Sequence, residues 1–241
     1  MPQIGITMSL AELKSILRKL SRPKQAKILS RFFKTGKGEY GEGDKFLGIK
    51  VPVSRKIAKQ FKDLSLKEIQ QLIHSPIHEE RLIALFILVE QFRKADETKR
   101  RIIYDFYLKN SKRVNNWDLV DLSAEKIIGV YLLDKDKNIL FKLARSKNLW
   151  ERRIAIMSTF NFIKNGQYET TLEISNLLLK DEHDLIHKAV GWMLREIGKR
   201  NLMVEENYLK EHYKNMPRTM LRYAIEKFPD KKRQAYLKGE I

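Results

Sequence analysis

The sequence has no cysteine and only six prolines among its 241 residues. Without cysteine, a disulfide, a cysteine-ligated zinc, an iron–sulfur cluster and thiol catalysis are all excluded. The prolines lie between the apolar periodic segments or at their starts, which favours unbroken helices. The longest apolar run, 82–89, is far too short to span a bilayer. Residues 1–7 lack the basic and apolar regions of a signal peptide, so we expect a cytoplasmic protein.

Charge is abundant and strongly of one sign. The chain carries 48 Lys and Arg against 30 Asp and Glu, a formal net charge of +18. The excess is spread through the chain and not confined to a tail, which favours a nucleic-acid partner. The alternatives are a soluble protein that is merely basic, or one that binds acidic membranes. Hydrophobic residues make up 43% of the chain, enough for a folded core.

Apolar residues recur with helical spacing nearly everywhere. Ser9 with Glu12 and Ser65 with Glu68 form predicted capping boxes, and Pro52 suits the first position of a helix. Strand-type alternation is absent, so we predict an all-α fold in a single domain, 1–241. From residue 78 onward, helices are predicted at 78–92, 96–109, 115–131, 137–145, 149–164, 169–179, 184–199, 204–214 and 217–228.

Helix starts of similar composition recur at a nearly constant interval. Arg81, Trp117, Arg153 and Lys188 are separated by 36, 36 and 35 residues. Two helices fit within each interval, as in a helical-repeat solenoid. Such a solenoid would be curved, and we expect its basic residues on the concave face.

Two motifs are weak signals. The segment 36–41 matches G-x-G-x-x-G, but no strand precedes it and no helix follows it, so a flexible loop that contacts DNA is the better interpretation. His74 with His78, and His183 with His187, have a spacing that suits a metal, yet a third ligand is not evident. Surface or half-buried helix positions are the expected account of all four. We therefore predict no metal and no organic cofactor.

The segment 115–121 is more specific. Trp117 and Asp121 lie four residues apart, and hence on one face at the start of a helix. An indole beside a carboxylate in a basic protein indicates a site. A core tryptophan with a helix-capping aspartate remains the alternative. Arg153 falls one repeat after Trp117, and Trp192 falls two repeats after Asp121, so the repeat would gather all four around one concave surface.

Three segments, 117–121 (WDLVD), 150–156 (WERRIAI) and 188–196 (KAVGWMLRE), resemble the AlkD-type DNA alkylation repair proteins, which are HEAT-like helical solenoids. The resemblance extends from residue 46 to the C-terminal helices. It implies that Trp117, Asp121 and Trp192 are catalytic and that Arg153 contacts the DNA backbone. Asn116 and Phe32 depart from the family pattern, in which tryptophan and tyrosine often occur at these two places.

The activity that this resemblance implies is hydrolysis of the N-glycosidic bond of positively charged purines, such as 3-methyladenine and 7-methylguanine. Asp121 would stabilise the sugar cation and orient water, while Trp117 and Trp192 pack on the sugar. Basic residues would hold the phosphates: Arg153, Arg152, Lys188 and Arg195. The expected partner is duplex DNA with alkylated bases, bound by a monomer. A non-catalytic binder of damaged or branched DNA and a helical scaffold are the alternatives.

Overall fold

Helices make up most of residues 9–241, the part of the chain that this computed structural model describes. Within that range no strand forms, and an isolated bridge joins Lys45 to Ile77. The predicted all-α, helical-repeat fold is confirmed. The segment 1–7, on which the expected lack of a signal peptide depends, lies outside the described residues.

The chain divides into two compact units, Met1–Ser123 and Ala124–Ile241. Organisation as a single domain stays a prediction. The helices of the first unit are α1 (Leu10–Lys19), α2 (Pro23–Phe32), α3 (Val51–Gln60), α4 (Leu66–Ile73), α5 (His78–Lys94), α6 (Glu97–Lys109) and α7 (Trp117–Ala124), whose last residue is the first of the second unit.

The core of the first unit is built around α5. Every residue from His78 to Leu88 is buried, so this helix has no solvated face along its first three turns. A helix that is apolar nearly all round must be covered on all sides. Helices α3, α4 and α6 pack against it. The charged residues at its start are buried with it, and they need partners there.

The second unit is arranged in the same way around α12. Its helices are α8 (Asn138–Ala144), α9 (Leu149–Ser158), α10 (Phe160–Lys164), α11 (Glu169–Leu177), α12 (Asp184–Gly198), α13 (Leu202–His212), α14 (Arg218–Ala224) and α15 (Asp230–Lys238). Helix α12 packs against α9, α10, α11, α13 and α14. Gly191 allows a close approach of α14, since a Cβ there would stand 2.4 Å from the Met220 carbonyl oxygen.

Local sequence patterns correctly predicted where several helices begin. Both capping boxes are present, Ser9 with Glu12 on α1 and Ser65 with Glu68 on α4. Pro52 lies in the first turn of α3, one residue after its start. The four repeat positions 81, 117, 153 and 188 all fall on helices, as predicted.

Two predicted helices are interrupted. The segment 149–164 breaks at Thr159, where the hydroxyls of Ser158 and Thr159 donate to the carbonyls of Ile154 and Ile156. Such bonds compete with the helical ladder. The segment 115–131 contains a π-helical turn at Glu125–Gly129, and a Cβ on Gly129 would lie 2.2 Å from the Ser158 carbonyl oxygen. Close packing of the two irregular segments therefore shapes both helices.

The segment after α2 is a series of turns, as expected for 36–41. Its backbone amides are already used: Gly36 donates to Glu39 at 2.8 Å and Gly38 donates to Glu42 at 2.9 Å. These carboxylates occupy the donors that a pyrophosphate would need, so the segment is no dinucleotide site. None of the helices in the described residues combines the length and apolar character that crossing a membrane requires.

Candidate active site

Trp117 and Asp121 are placed by α7. Trp117 is the first residue of this helix and Asp121 the fifth, so the two side chains lie on one face, one turn apart. Both are half-buried. An N-cap precedes the first helical residue, whereas Asp121 lies inside the helix. Its position therefore does not suit the helix-cap alternative.

The indole of Trp117 rests on an aromatic cluster. It stacks on Phe33 with ring centroids 5.4 Å apart and meets Phe32 edge-on at 6.0 Å. Phe33 in turn stacks on Phe46 at 5.1 Å. Phe32 is 61% exposed, so the cluster reaches the surface. The Trp117 ring is thus held in one orientation by stacking, and unlike a core tryptophan it keeps a part that is accessible to solvent.

The negative charge of Asp121 affects the pKa of Tyr107, a buried phenol. Burial raises the pKa of Tyr107, and the negative charge of Asp121 raises it further, against a hydrogen bond with Ser123. That bond is 2.9 Å long, and the Ser123 hydroxyl also donates to the Leu119 carbonyl at 2.5 Å. The Tyr107 phenol, Ser123 and the Leu119 carbonyl thus form a buried hydrogen-bonded chain within reach of the Asp121 charge.

A cluster of buried charges lies beneath the start of α7. The His78 ring bridges two carboxylates, with Nδ1 3.0 Å from Asp44 and Nε2 2.9 Å from Asp118. Arg81 donates to Asp44 at 2.5 Å, and the Asn116 amide donates to it at 3.2 Å. The four charged residues are all less than 9% exposed. We call these five residues the α7 anchor.

The α7 anchor shifts two pKa values. Burial lowers the pKa of His78, but the hydrogen bonds that its ring donates to Asp118 and Asp44 outweigh this effect and raise the pKa to about 9. Burial likewise opposes ionisation of Asp44, yet the hydrogen bond from His78 and the charge of Arg81 leave its pKa lowered. The histidine is therefore cationic and Asp44 anionic at neutral pH.

Sequence reasoning missed the α7 anchor. The expected surface or half-buried position is wrong for His78, which is 2% exposed. Its partners Asp44 and Asp118 are 34 and 40 residues away along the chain. No local motif links positions so far apart. The one indication in the sequence is the run of polar residues 78–81 (HEER), which begins a helix that is otherwise apolar.

Three of the other four histidines form hydrogen bonds. The His183 side chain accepts a hydrogen bond from the Leu185 amide at 3.1 Å and so caps α12. His187 bonds to the Asp181 carbonyl, and His74 lies within hydrogen-bond distance of Asn110. Across residues 9–241, no group of three or more His, Cys, Asp or Glu is arranged to hold a metal.

Trp192 lies in the second unit, on α12. Its ring is half-buried, and its Nε1 donates to the Glu196 carboxylate at 3.2 Å. The Phe160 ring lies 6.1 Å away. Burial raises the pKa of Glu196, but bonds from Lys199 and Arg200 outweigh it, so the pKa is lowered. Trp192 thus stands beside an anionic group one turn along its own helix.

Two of the predicted DNA-binding arginines belong to α9. Arg153 is only 4% exposed, and its guanidinium donates to the Leu185 carbonyl at the start of α12. Arg152 pairs with Asp181 at 2.6 Å and has a side chain 19% exposed. Both guanidinium groups therefore have protein partners in this structure.

The remaining two predicted DNA-binding residues belong to α12. Lys188 pairs with Asp184, one turn away, at 2.7 Å, and Arg195 pairs with Glu226, which follows α14. The Lys188 side chain is 39% exposed, against 14% for Arg195. Lys188 is thus the most accessible cation of the predicted set. All four belong to the second unit, whereas Trp117 and Asp121 belong to the first.

Comparison with known proteins gives a family match and a match among solved structures. A family model described as "DNA alkylation repair enzyme" matches residues 13–228. The fold is similar to a solved structure described as a predicted DNA alkylation repair enzyme from Enterococcus faecalis, with a TM-score of 0.68 and 18% identity. That match covers 87% of this chain and 97% of the other. No curated protein gave a significant match.

Proposed function

Because this chain belongs to the family of DNA alkylation repair enzymes, we propose that it is a DNA glycosylase. Its substrates in this proposal are positively charged alkylated purines, such as 3-methyladenine and 7-methylguanine, in duplex DNA. The products are the free base and an abasic site. The net charge of +18 supports a polyanionic partner.

The observation that carries the proposal is the pairing on α7. An indole and a carboxylate lie one turn apart, both half-buried, and the indole is held by stacking on Phe33. A purine alkylated at N3 or N7 already carries a positive charge and leaves as a neutral base. Little acid catalysis is needed, and the barrier is lowered mainly by stabilising the sugar as it becomes cationic.

Asp121 fits that task by charge. A carboxylate close to the anomeric carbon opposes the developing positive charge and accepts a proton from the attacking water. Trp117 presents a π-face, and a sugar that gains positive character binds such a face more tightly in the transition state. The fixed stacking of Trp117 supplies preorganisation, since the ring does not have to be ordered when DNA binds.

The residues of the second unit have supporting roles in the proposal. Trp192 offers a second half-buried indole for the sugar. Arg153, Arg152, Lys188 and Arg195 contribute positive charge toward the phosphates. We assign general attraction of the phosphates to Lys188, the most exposed of the four. Arg153 is buried against the Leu185 carbonyl, so its contact with the DNA backbone requires the side chain to leave that carbonyl.

The direct test is base release. Purified protein in excess is incubated with a duplex that contains one 7-methylguanine, and with the same duplex carrying guanine. The proposal expects free 7-methylguanine and an alkali-labile abasic site from the first duplex alone, above the spontaneous rate. Tight binding to the lesion duplex without any base release would contradict a glycosylase and leave the non-catalytic binder of damaged DNA.

A further inference from the structure

The α7 anchor buries an unusually large number of charged groups. Two carboxylates, one imidazole and one guanidinium are taken out of water within one cluster. Burying charges is expensive unless each is paired, and such clusters add little to stability compared with apolar residues. A structural account based on stability alone therefore explains this cluster poorly, and its place beneath Trp117 suggests another role.

The cluster is connected to Trp117 by two routes. The first route runs through the Asn116 side chain. Its amide nitrogen donates to Asp44, and its amide oxygen accepts a hydrogen bond from the Trp117 backbone N–H at 2.9 Å. Through the rings, His78 lies 5.0 Å from Phe33, on which Trp117 stacks. The start of α7 is thus held from two directions, and both converge on His78 and Asp44.

We propose that His78, in its protonated form, is a positioning residue that fixes the start of α7 and so the orientation of Trp117 and Asp121. The proposal rests on the proposed function for its catalytic consequence. The charged groups that face the imidazole are Asp44 from the loop before α3, Asp118 from α7 and Arg81 from its own helix. With His78 protonated, two negative and two positive charges balance.

Loss of the proton unbalances the cluster. A neutral imidazole has one N–H, so it donates to Asp44 or to Asp118 but not to both. One carboxylate then loses its hydrogen bond from the imidazole, and the buried cluster carries a net negative charge. Since Asp118 is the residue after Trp117, the start of α7 is released when the Asp118 bond is lost. Excision therefore decreases while the bulk of the DNA-binding charge is unchanged.

The pH dependence follows from the pKa of His78, which is raised from 6.5 to about 9. Below about pH 6.5 the imidazole is charged in both the folded and the unfolded chain, so its contribution to stability is fully present. Between pH 6.5 and 9 only the folded chain keeps the proton, and the contribution decreases. Above pH 9 it is lost.

The test labels the protein with 5-fluorotryptophan and follows the ¹⁹F resonance of Trp117 from pH 6 to pH 10. The signals of Trp150 and Trp192, assigned by substitution, serve as internal references. We expect the Trp117 resonance to titrate with a midpoint near pH 9. His78→Gln should abolish that titration, and His74→Gln, which changes an exposed histidine outside the α7 anchor, should preserve it. The titration itself is followed on the unmodified sequence, and the variants serve to assign the resonances and to test the dependence on His78.

Excision is measured on the same proteins under single-turnover conditions. His78→Gln should slow base release by up to about a hundredfold, the loss typical of a small misplacement of catalytic groups, with binding to the duplex unchanged. A Trp117 resonance that is indifferent to pH, or that titrates equally in folded His78→Gln, overturns the positioning role. A Trp117 titration that depends on His78 in a protein without base release supports the positioning role and refutes the glycosylase instead.

Discussion

Among individual residues, the three tryptophans differ in their surroundings. Trp150 is 7% exposed in α9, and its ring is part of the core. Trp117 and Trp192 are half-buried on α7 and α12, each with a carboxylate one turn further along its helix, Asp121 and Glu196. An indole with one covered and one accessible part is suited to contact a ligand.

Substitution of Trp117 should therefore affect excision according to the π-face that remains. Trp117→Phe keeps an aromatic ring and should lose less activity than Trp117→Leu, which keeps only apolar volume. A desolvated cation–π contact contributes about 2 kcal/mol, so the leucine variant should be slower by roughly thirtyfold. Single-turnover excision and thermal unfolding are measured on both proteins. Trp150→Phe is the matched control, and its expected effect is on stability alone.

Equal excision by the phenylalanine and leucine variants of Trp117 would contradict a role for the ring face. A decrease of the same size in Trp150→Phe would attribute the loss to destabilised folding. Stability data on each variant separate these outcomes.

The sequence predicted the Trp117–Asp121 pair but not the residues beneath it, for a physical reason. Helical spacing is local, so four residues apart means one face wherever the helix lies. The pairing of His78 with Asp44 and Asp118 depends instead on how a loop and two helices pack. A side chain whose partners are 34 and 40 residues distant gives no periodic signal.

At the scale of helices, the points where helices begin depend on local sequence, whereas the points where helices are interrupted depend on contacts between distant segments. The capping boxes at Ser9 and Ser65 use residues three apart, so both were readable from sequence. The π-helical turn at Glu125–Gly129 arises where Gly129 packs on the Ser158 carbonyl, a contact that spans distant segments. Helix α15 escaped prediction because its only buried residue is Tyr236, too few for an amphipathic pattern.

The α12–α14 contact offers a test of packing against intrinsic propensity. On propensity alone, Gly191→Ala would stabilise a helix by about 1 kcal/mol. Its Cβ would however lie 2.4 Å from the Met220 carbonyl oxygen and 2.6 Å from the Tyr223 Cβ. We expect a net loss of about 1–3 kcal/mol in the free energy of unfolding, as for other overpacked positions. Urea unfolding measures it.

Glu173→Ala is the control for that substitution, because Glu173 is exposed in the middle of α11. Its replacement should change stability by a few tenths of a kcal/mol at most. If Gly191→Ala were as stable as Glu173→Ala, or more stable, the close α12–α14 packing would be wrong.

For the whole molecule, net charge governs the encounter with DNA. With +18 and no zinc or helix-turn-helix motif in the sequence, we expect duplex binding that is largely independent of base sequence. Each phosphate contact releases condensed counterions, so the logarithm of the affinity should decrease linearly with the logarithm of the salt concentration. Fluorescence anisotropy from 50 to 300 mM salt, on two unrelated duplexes, measures the slope.

Affinity that stays constant over that range would contradict the counterion account. A slope that differs strongly between the two duplexes would indicate base readout instead of backbone binding. The charge predicted a polyanionic partner from composition alone, since it does not depend on the fold. The reaction that follows binding depends on how particular residues are arranged in space, and composition does not predict that arrangement.

The central claim is that Asp121 supplies charge to the chemistry, and Asp121→Asn tests it most directly. The substitution keeps size and removes the negative charge. Single-turnover excision of 7-methylguanine should fall by roughly a hundred- to a thousandfold, the effect of losing one preorganised electrostatic contact. Binding to the lesion duplex should persist or tighten. Asp105→Asn, which changes an exposed carboxylate on α6, should excise at the original rate. Full excision by a folded Asp121→Asn protein would contradict the account.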